Sequence, residues 1–249
     1  MKKKKKPIFN LLKKIVKLFH IKYTIEGLEN IPSEPSILIG NHAHSYGPFF
    51  AELRFPLKRQ TWCASEIMSM KTAPAYMQED FWGLKPKGTK WFFKLMSYIC
   101  APICVYVFKS AGTIPVYRDT RGISTFKQTI EELNNGNHIF IYPEGREPHN
   151  NIINDFQQKF VDVAKMYYKK TKKSLNFVPF YLSPKLKKVC FGKPITFDPN
   201  TKMEQERERI CTYLKNKITN IATNLPLHTV IPYANIPKKA YPKNKSTTS

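Results

Sequence analysis

The sequence predicts an α/β protein with a mostly parallel central sheet flanked by helices. Two short apolar runs, at residues 36–39 and 138–142, are typical of buried strands, and each is followed by polar residues. A helical pattern at 123–133 lies between the predicted strands 112–118 and 138–142, as in a strand–helix–strand unit of a parallel sheet. A chain of 249 residues with 42% hydrophobic residues can build one large domain with a sizeable core.

The other elements follow from the same periodicities. Further strands are predicted at 61–66, 177–181 and 189–195, and further helices at 49–53, 154–168 and 202–224. Residues 95–108 are the most apolar stretch, and they are shorter than the roughly 20 residues that a bilayer span requires. We therefore expect a core helix there, with a membrane-dipping surface as the alternative.

The N-terminal segment has a different character. After a cationic run from Lys2 to Lys6, apolar residues recur at helical spacing between Ile8 and Phe19, with three Lys among them. This pattern predicts a basic amphipathic helix that binds the surface of an anionic membrane. A helix docked on its own domain is the alternative.

Three regions result from these predictions. Residues 1–24 form the membrane-surface helix, residues 25–225 the α/β domain, and residues 226–249 a Pro- and Lys-rich extended tail with a disordered end.

Charge and cysteine content narrow the classes of partner. The net charge of +23 favours polyanions, either acidic lipid surfaces or nucleic acid. Only seven basic residues are Arg, the residue that sequence-specific nucleic-acid readers favour, so a membrane is preferred and nucleic acid is not expected. The five Cys have no spacing typical of a disulfide framework or a metal site. They suit a reducing, cytoplasmic environment, and no metal is predicted.

A histidine follows the first predicted core strand. His42 comes two residues after Gly40, where the strand gives way to a loop, and Pro48 opens the next helix. A His on such a rigid support titrates near neutral pH and is suited to general-base chemistry. An ordinary surface histidine is the alternative.

Four stretches recur in the order of a known family pattern. They are Asn41-His42, Gly112-Thr-Ile-Pro-Val-Tyr-Arg118, Tyr142-Pro-Glu-Gly145 and the Val-Pro strand at 177–181. Together they resemble the blocks of the glycerolipid acyltransferase family, the 1-acylglycerol-3-phosphate acyltransferases and their relatives. The resemblance implies that family's α/β fold and transfer of an acyl group from a thioester to a glycerol hydroxyl.

The resemblance also implies roles for individual residues. His42 would be the general base, and Glu144 a second catalytic residue that orients the acceptor or the basic residues around it. Substrate contacts would come from the four residues Asn41, Arg118, Gly145 and Arg146. Because Arg118 ends a strand, its guanidinium can grip a phosphate with two hydrogen bonds, although a surface ion pair with Asp119 or Glu132 is the alternative.

The implied partners are lipids and a thioester donor. The acceptor would be a lysophospholipid or a glycerol phosphate, and the donor an acyl thioester of coenzyme A or of acyl carrier protein, with no permanently bound cofactor. We expect the protein on the cytoplasmic side, peripheral on the inner face of the cell membrane, in contact with anionic phospholipids.

One departure from the pattern bears on activity. The family has Asp five residues after the His, where it orients the imidazole, and this chain has Gly47. Glu52 or Glu66 could orient His42 instead, His44 could act or assist, or the protein could be a catalytically lapsed lipid-binding relative. An active site predicts a carboxylate within about 2.6–3.2 Å of one His42 ring nitrogen, or linked to it through one water. If only the acid is missing, Gly47→Asp should raise transfer.

The third block departs from the family pattern as well. Arg146 stands where the family has Thr, and Glu147 stands where it has Arg.

Overall fold

A computed structural model describes residues 6–233 and 235–245, which divide into two compact units. The sheet unit comprises Ile21–Thr61 and Phe126–Ser249, and the helical unit comprises Met1–His20 and Trp62–Thr125. Of the predicted cationic run only Lys6 lies within the described residues, and residues 246–249 of the predicted disordered end lie outside them.

The strands and helices are as follows. The strands are β1 (Thr24–Glu26), β2 (Ile37–Gly40), β3 (Arg59–Ala64), β4 (Ile114–Val116), β5 (His138–Ile141), β6 (Glu144–Pro148), β7 (Asn154–Phe156), β8 (Asn176–Ser183), β9 (Lys188–Phe191) and β10 (Ile195–Thr196). The helices are α1 (Pro7–Phe19), α2 (Tyr46–Leu53), α3 (Ala73–Asp80), α4 (Lys90–Ala111), α5 (Gly122–Asn134), α6 (Asp162–Thr171) and α7 (Met203–Asn224).

The sheet unit confirms the predicted fold class. Its strands lie in the order β1-β9-β8-β2-β5-β3, and every neighbouring pair is parallel except β8 with β9. The short strand β10 pairs with β8 in antiparallel orientation. Strands β2 and β5 are buried at every position, and β8 at all but its first, which explains their unbroken apolar sequence.

An aromatic cluster forms the core of the sheet unit. Phe50 of α2 packs edge-to-face on Phe140 of β5, and Phe140 packs in the same way on Phe180 of β8. All three side chains are fully buried. Each contributes about 1.5–3 kcal/mol by removing apolar surface from water, so the strand ends that carry the motif residues rest on a rigid base.

The helical unit contains an apolar helix that is mostly exposed. Helix α4 packs on α3 through a small core that includes Met77, Ala101 and Val105, and it ends at Gly112, whose φ of 73° is left-handed. Trp91 and Ile103 are 71% and 60% exposed. The expectation of a core helix is therefore wrong for most of this helix, because little of the chain covers it.

Two further predictions differ from the structure. The helix predicted at 154–168 begins only at Asp162, because Asn154–Phe156 forms β7 and pairs in antiparallel orientation with β6. The tail, predicted to be extended, instead doubles back on itself, with an antiparallel bridge between Thr229 and Lys243.

Candidate active site

The loop after β2 has a constrained backbone. Ala43 and His44 have φ angles of 45° and 53°, the left-handed region that residues other than Gly seldom adopt. The His42 carbonyl accepts a hydrogen bond from the Gly47 N–H at 3.2 Å, which joins the loop to the first turn of α2. Such a conformation persists only where surrounding contacts maintain it.

Glu144 supplies one of these contacts. Its buried carboxylate accepts the His42 main-chain N–H at 2.7 Å and the Asn154 main-chain N–H at 2.9 Å. It therefore joins the loop after β2 to the β6–β7 hairpin that follows the neighbouring strand β5. Burial raises the pKa of Glu144 to about 7, although the two N–H donors act in the opposite direction.

The His42 ring lies among aromatic side chains. Tyr142 and Tyr233 pack edge-to-face against it, with ring centroids 5.1 Å and 5.7 Å away. Burial lowers the pKa of His42 to about 4, although a backbone hydrogen bond with His44 acts in the opposite direction, so the imidazole is neutral at physiological pH. Within residues 6–233 and 235–245, no carboxylate is hydrogen-bonded to this ring. The expected orienting acid is thus not found in the described part.

A tyrosine occupies the space beside Gly47. A Cβ at residue 47 would lie 2.7 Å from Cε1 of Tyr142 and 2.8 Å from the His42 carbonyl oxygen. The Tyr142 hydroxyl is buried and has no hydrogen-bond partner among the described residues. The site therefore has no room for an acid at position 47 unless the Tyr142 ring moves, and the expectation for Gly47→Asp has to change.

The other site residues of the sheet unit differ in accessibility. Asn41 is buried, and its side-chain amide donates to the Leu182 carbonyl at 3.0 Å and accepts the Leu182 N–H at 2.8 Å. These bonds give Asn41 a structural role, and its contact with substrate stays a prediction. Gly145 is half-buried and Arg146 exposed. His44 receives a contact from the Tyr241 hydroxyl, 3.3 Å from its Nε2 atom.

Glu52, a predicted alternative acid, is already paired. Its carboxylate lies 2.7 Å from a terminal nitrogen of Arg59. The Glu52 carboxylate is therefore bound to Arg59 and not to the His42 ring.

Arg118 and Glu66 belong to the helical unit. Arg118 is exposed and makes no hydrogen bond or ion pair within the part of the chain that the structure describes. Asp119, suggested above as its partner, binds Arg121 at 2.7 Å, and Glu132 accepts a hydrogen bond from Asn137. Glu66 accepts a hydrogen bond from Ser65 at 3.2 Å. The structure therefore leaves the Arg118 guanidinium available to a ligand.

Sequence reasoning missed three aromatic residues of the site, Tyr142, Tyr233 and Tyr241. Tyr142 lies within the third block, but its contact with His42 has no signal in the sequence. Tyr233 and Tyr241 lie in the tail, where no periodicity marks them.

Comparisons with known proteins agree with the fold. The acyltransferase family model matches residues 22–183, about two thirds of the chain. A solved structure, the 1-acyl-sn-glycerophosphate (LPA) acyltransferase PlsC from Thermotoga maritima, has a similar fold with a TM-score of 0.51 at 15% identity. The match covers 88% of this chain and 80% of that one. A search of curated protein sequences found no match. Because the family model covers more than half of the sequence, this chain belongs to the acyltransferase family.

Proposed function

We propose that the protein transfers a fatty acyl group from an acyl thioester to a lysophospholipid or glycerol phosphate at a membrane surface. The observation that carries this proposal is the hydrogen bond from the His42 N–H to the Glu144 carboxylate. It joins the two motif segments at the carboxyl ends of the parallel strands β2 and β5, beside a neutral imidazole. The activity of the Thermotoga maritima enzyme, acyl transfer to an acyl-glycerophosphate, supports the same substrate class.

The reaction needs one proton carrier. The neutral His42 ring removes the acceptor hydroxyl proton as that oxygen attacks the thioester carbonyl carbon. A C–O bond forms, the C–S bond breaks, and the imidazolium returns the proton to the leaving thiolate. General-base catalysis of this kind contributes roughly 10²–10⁴-fold in rate. Glu144 then acts as a positioning residue, because its carboxylate contacts the main chain of His42.

The acceptor phosphate would be held by basic side chains and a close main-chain approach. Arg118 is exposed and unpaired within the described residues, as a guanidinium that grips phosphate must be before its ligand arrives. Arg146 of the sheet unit, exposed at the start of β6, is a separate candidate for a phosphate contact. The neighbouring Gly145 main chain would approach the phosphate closely, because no side chain is in the way.

A membrane location is supported by the apolar surface of the helical unit. Helix α1 exposes Leu11 and Ile15, and α4 exposes Trp91, Ile99 and Ile103. Basic side chains lie beside these apolar ones, on α1 at positions 13, 14 and 17 and on α4 at positions 90, 94 and 109. Apolar surface flanked by Lys is the arrangement that binds anionic lipid. We therefore propose a peripheral location on the cytoplasmic face of the membrane.

The length of α4 favours immersion in the interface. Among the described helices, Lys87–Ala111 is the one long and apolar enough to cross a bilayer by length and composition, a weak criterion on its own. Only 14 residues separate Lys94 from Lys109, a rise of about 21 Å, against about 30 Å for the hydrocarbon core of a bilayer. A helix lying along the surface keeps both ammonium groups in water.

A second candidate function has its own observation. The Tyr142 ring fills the space where the family carries its orienting acid, and loss of that acid costs about 10⁴-fold in a serine-protease triad. A lapsed relative that binds lysolipid without transferring an acyl group fits this feature.

One experiment separates the two functions. Purified protein is incubated with radiolabelled acyl-coenzyme A or acyl carrier protein and a panel of lysolipids and glycerol phosphate, and the products are resolved by thin-layer chromatography. A labelled product that His42→Ala abolishes supports the enzyme. Saturable binding of lysolipid to vesicle-bound protein without any product supports the lapsed relative.

A further inference from the structure

Two tyrosines of the C-terminal tail, Tyr233 and Tyr241, contact the histidines of the loop after β2. We define the C-terminal strap as residues 226–233 and 235–245. Tyr233 packs edge-to-face on the His42 ring, and the Tyr241 hydroxyl lies 3.3 Å from Nε2 of His44. No motif of the acyltransferase pattern includes either residue, and the family model ends at residue 183.

Buried polar groups fasten the strap at both ends. Asn244 is buried; its side chain accepts the His228 N–H at 2.8 Å and donates to the Ala222 carbonyl at 2.7 Å, at the end of α7. The Val230 N–H donates to the Pro242 carbonyl at 2.9 Å, so the two ends of the strap lie side by side. Buried and satisfied hydrogen bonds of this kind specify one conformation.

His228 adds a link to the central sheet. Its Nδ1 atom lies 2.7 Å from the Pro226 carbonyl, which can only accept, so Nδ1 carries the proton and Nε2 accepts from the Tyr181 hydroxyl at 2.9 Å. Tyr181 is a fully buried residue of β8. The strap is therefore fixed to the same strand that Asn41 contacts through Leu182.

The loop after β2 has a strained backbone, which needs contacts from other segments to maintain its conformation. Its left-handed residues Ala43 and His44 are strained, and no carboxylate among the described residues is hydrogen-bonded to the His42 ring. Tyr142 and Tyr233 both pack edge-to-face against that ring. We propose that the strap is a positioning element of the catalytic loop and that Tyr233 and Tyr241 orient His42 and His44 in the absence of an acid at position 47. The proposal rests on the function proposed above.

Four variants of the full-length chain test the strap. Tyr233→Leu removes the ring that contacts His42, Tyr233→Phe keeps it, and Tyr241→Phe removes only the hydroxyl near His44. Tyr213→Leu is the matched control, because Tyr213 is a half-buried tyrosine of α7 that donates to the Lys193 carbonyl. Hydrogen–deuterium exchange of the amides at 42–47 reports loop order whether or not the protein has activity.

We expect amide exchange in the loop to become roughly tenfold faster in Tyr233→Leu, which corresponds to the upper range of energy for one aromatic contact. In Tyr233→Phe the exchange rate should stay near that of wild type. Tyr241→Phe should give a smaller acceleration, and Tyr213→Leu none in the loop. If transfer is detected, kcat should fall in parallel while KM for the acceptor stays constant. A protein without transfer still tests the strap by exchange, so the two proposals fail separately.

Two results would overturn the inference. Loop exchange that is unchanged in both Tyr233→Leu and Tyr241→Phe would show that the strap does not order the loop. A higher kcat in Tyr233→Leu would show that the strap restricts access to the site instead of ordering the loop. If Tyr233→Leu does not fold, Tyr241→Phe decides alone, since removal of one hydroxyl leaves the packing intact.

Discussion

Gly47→Ala tests the packing that distinguishes this site. The new Cβ would lie 2.7 Å from the Tyr142 ring and 2.8 Å from the His42 carbonyl oxygen, both below van der Waals contact. Overpacking of this kind costs about 1–3 kcal/mol, and the higher helix propensity of Ala returns up to about 1 kcal/mol. We expect the free energy of unfolding to fall by about 1–2 kcal/mol. With an m-value of about 2–3 kcal/mol/M, the urea midpoint would drop by about 0.5 M.

A double-mutant cycle assigns the loss to Tyr142. Tyr142→Leu shortens the side chain, so Gly47→Ala should cost less in that background, with a coupling energy of about 1 kcal/mol or more. Gly122→Ala is the control, because its Cβ would have no neighbour nearer than the Tyr117 oxygen at 3.5 Å. A Gly47→Ala protein as stable as wild type, or two additive substitutions, would refute the packing argument.

An acid at position 47 meets the same steric conflict. Gly47→Asp should lower stability at least as much as Gly47→Ala and should not raise transfer, because the Tyr142 ring blocks the carboxylate. A rise in transfer by Gly47→Asp would show that the Tyr142 ring moves and leaves room for the new carboxylate.

The remaining predictions concern charge and lipid. The folded state holds a proton on Glu144 up to about pH 7, whereas the unfolded chain releases it near 4.5, so stability falls as pH rises through this window, by up to about 3 kcal/mol. Glu144→Gln should lack that decrease in urea titrations. Arg118→Lys should weaken affinity for phosphorylated acceptors in binding titrations, because Lys loses bidentate geometry. Replacing Ile99 and Ile103 with Ser should reduce flotation with anionic liposomes, and Ile123→Ser, equally exposed on α5, should not.

Each of these predictions has a contrary result. An identical pH dependence in wild type and Glu144→Gln would mean that Glu144 titrates normally. Equal acceptor affinity in wild type and Arg118→Lys would show that the Arg118 guanidinium does not contact the acceptor phosphate. Flotation that Ile123→Ser reduces as much as the α4 substitutions would indicate a general effect of lost apolar surface.

The sequence alone predicted the central strands and the order of the motifs. Strands such as β2 and β5 are buried on both faces, so their sequences are unbroken apolar runs that periodicity identifies. The end of each run also marked where the loops of the site begin, and the structure shows that the strands before His42 and Glu144 are neighbours.

Features that depend on distant contacts could not be predicted. Asn154–Phe156 forms a strand because the Asn154 N–H reaches the Glu144 carboxylate, a contact that helical periodicity does not reveal. The strap is ordered by single side-chain bonds from Asn244 and His228 inside a Pro-rich composition typical of disorder. The exposure of α4 depends on what packs against it, which apolar content alone does not specify.

In the proposed mechanism, a neutral His42 removes the acceptor proton. The most direct measurement is the rate of radiolabelled acyl transfer by full-length wild type and His42→Gln, with the best acceptor and donor of the panel, together with a folding check by circular dichroism. We predict that the folded variant loses about 10²–10⁴-fold in kcat. Transfer by a folded His42→Gln protein at the wild-type rate would contradict it.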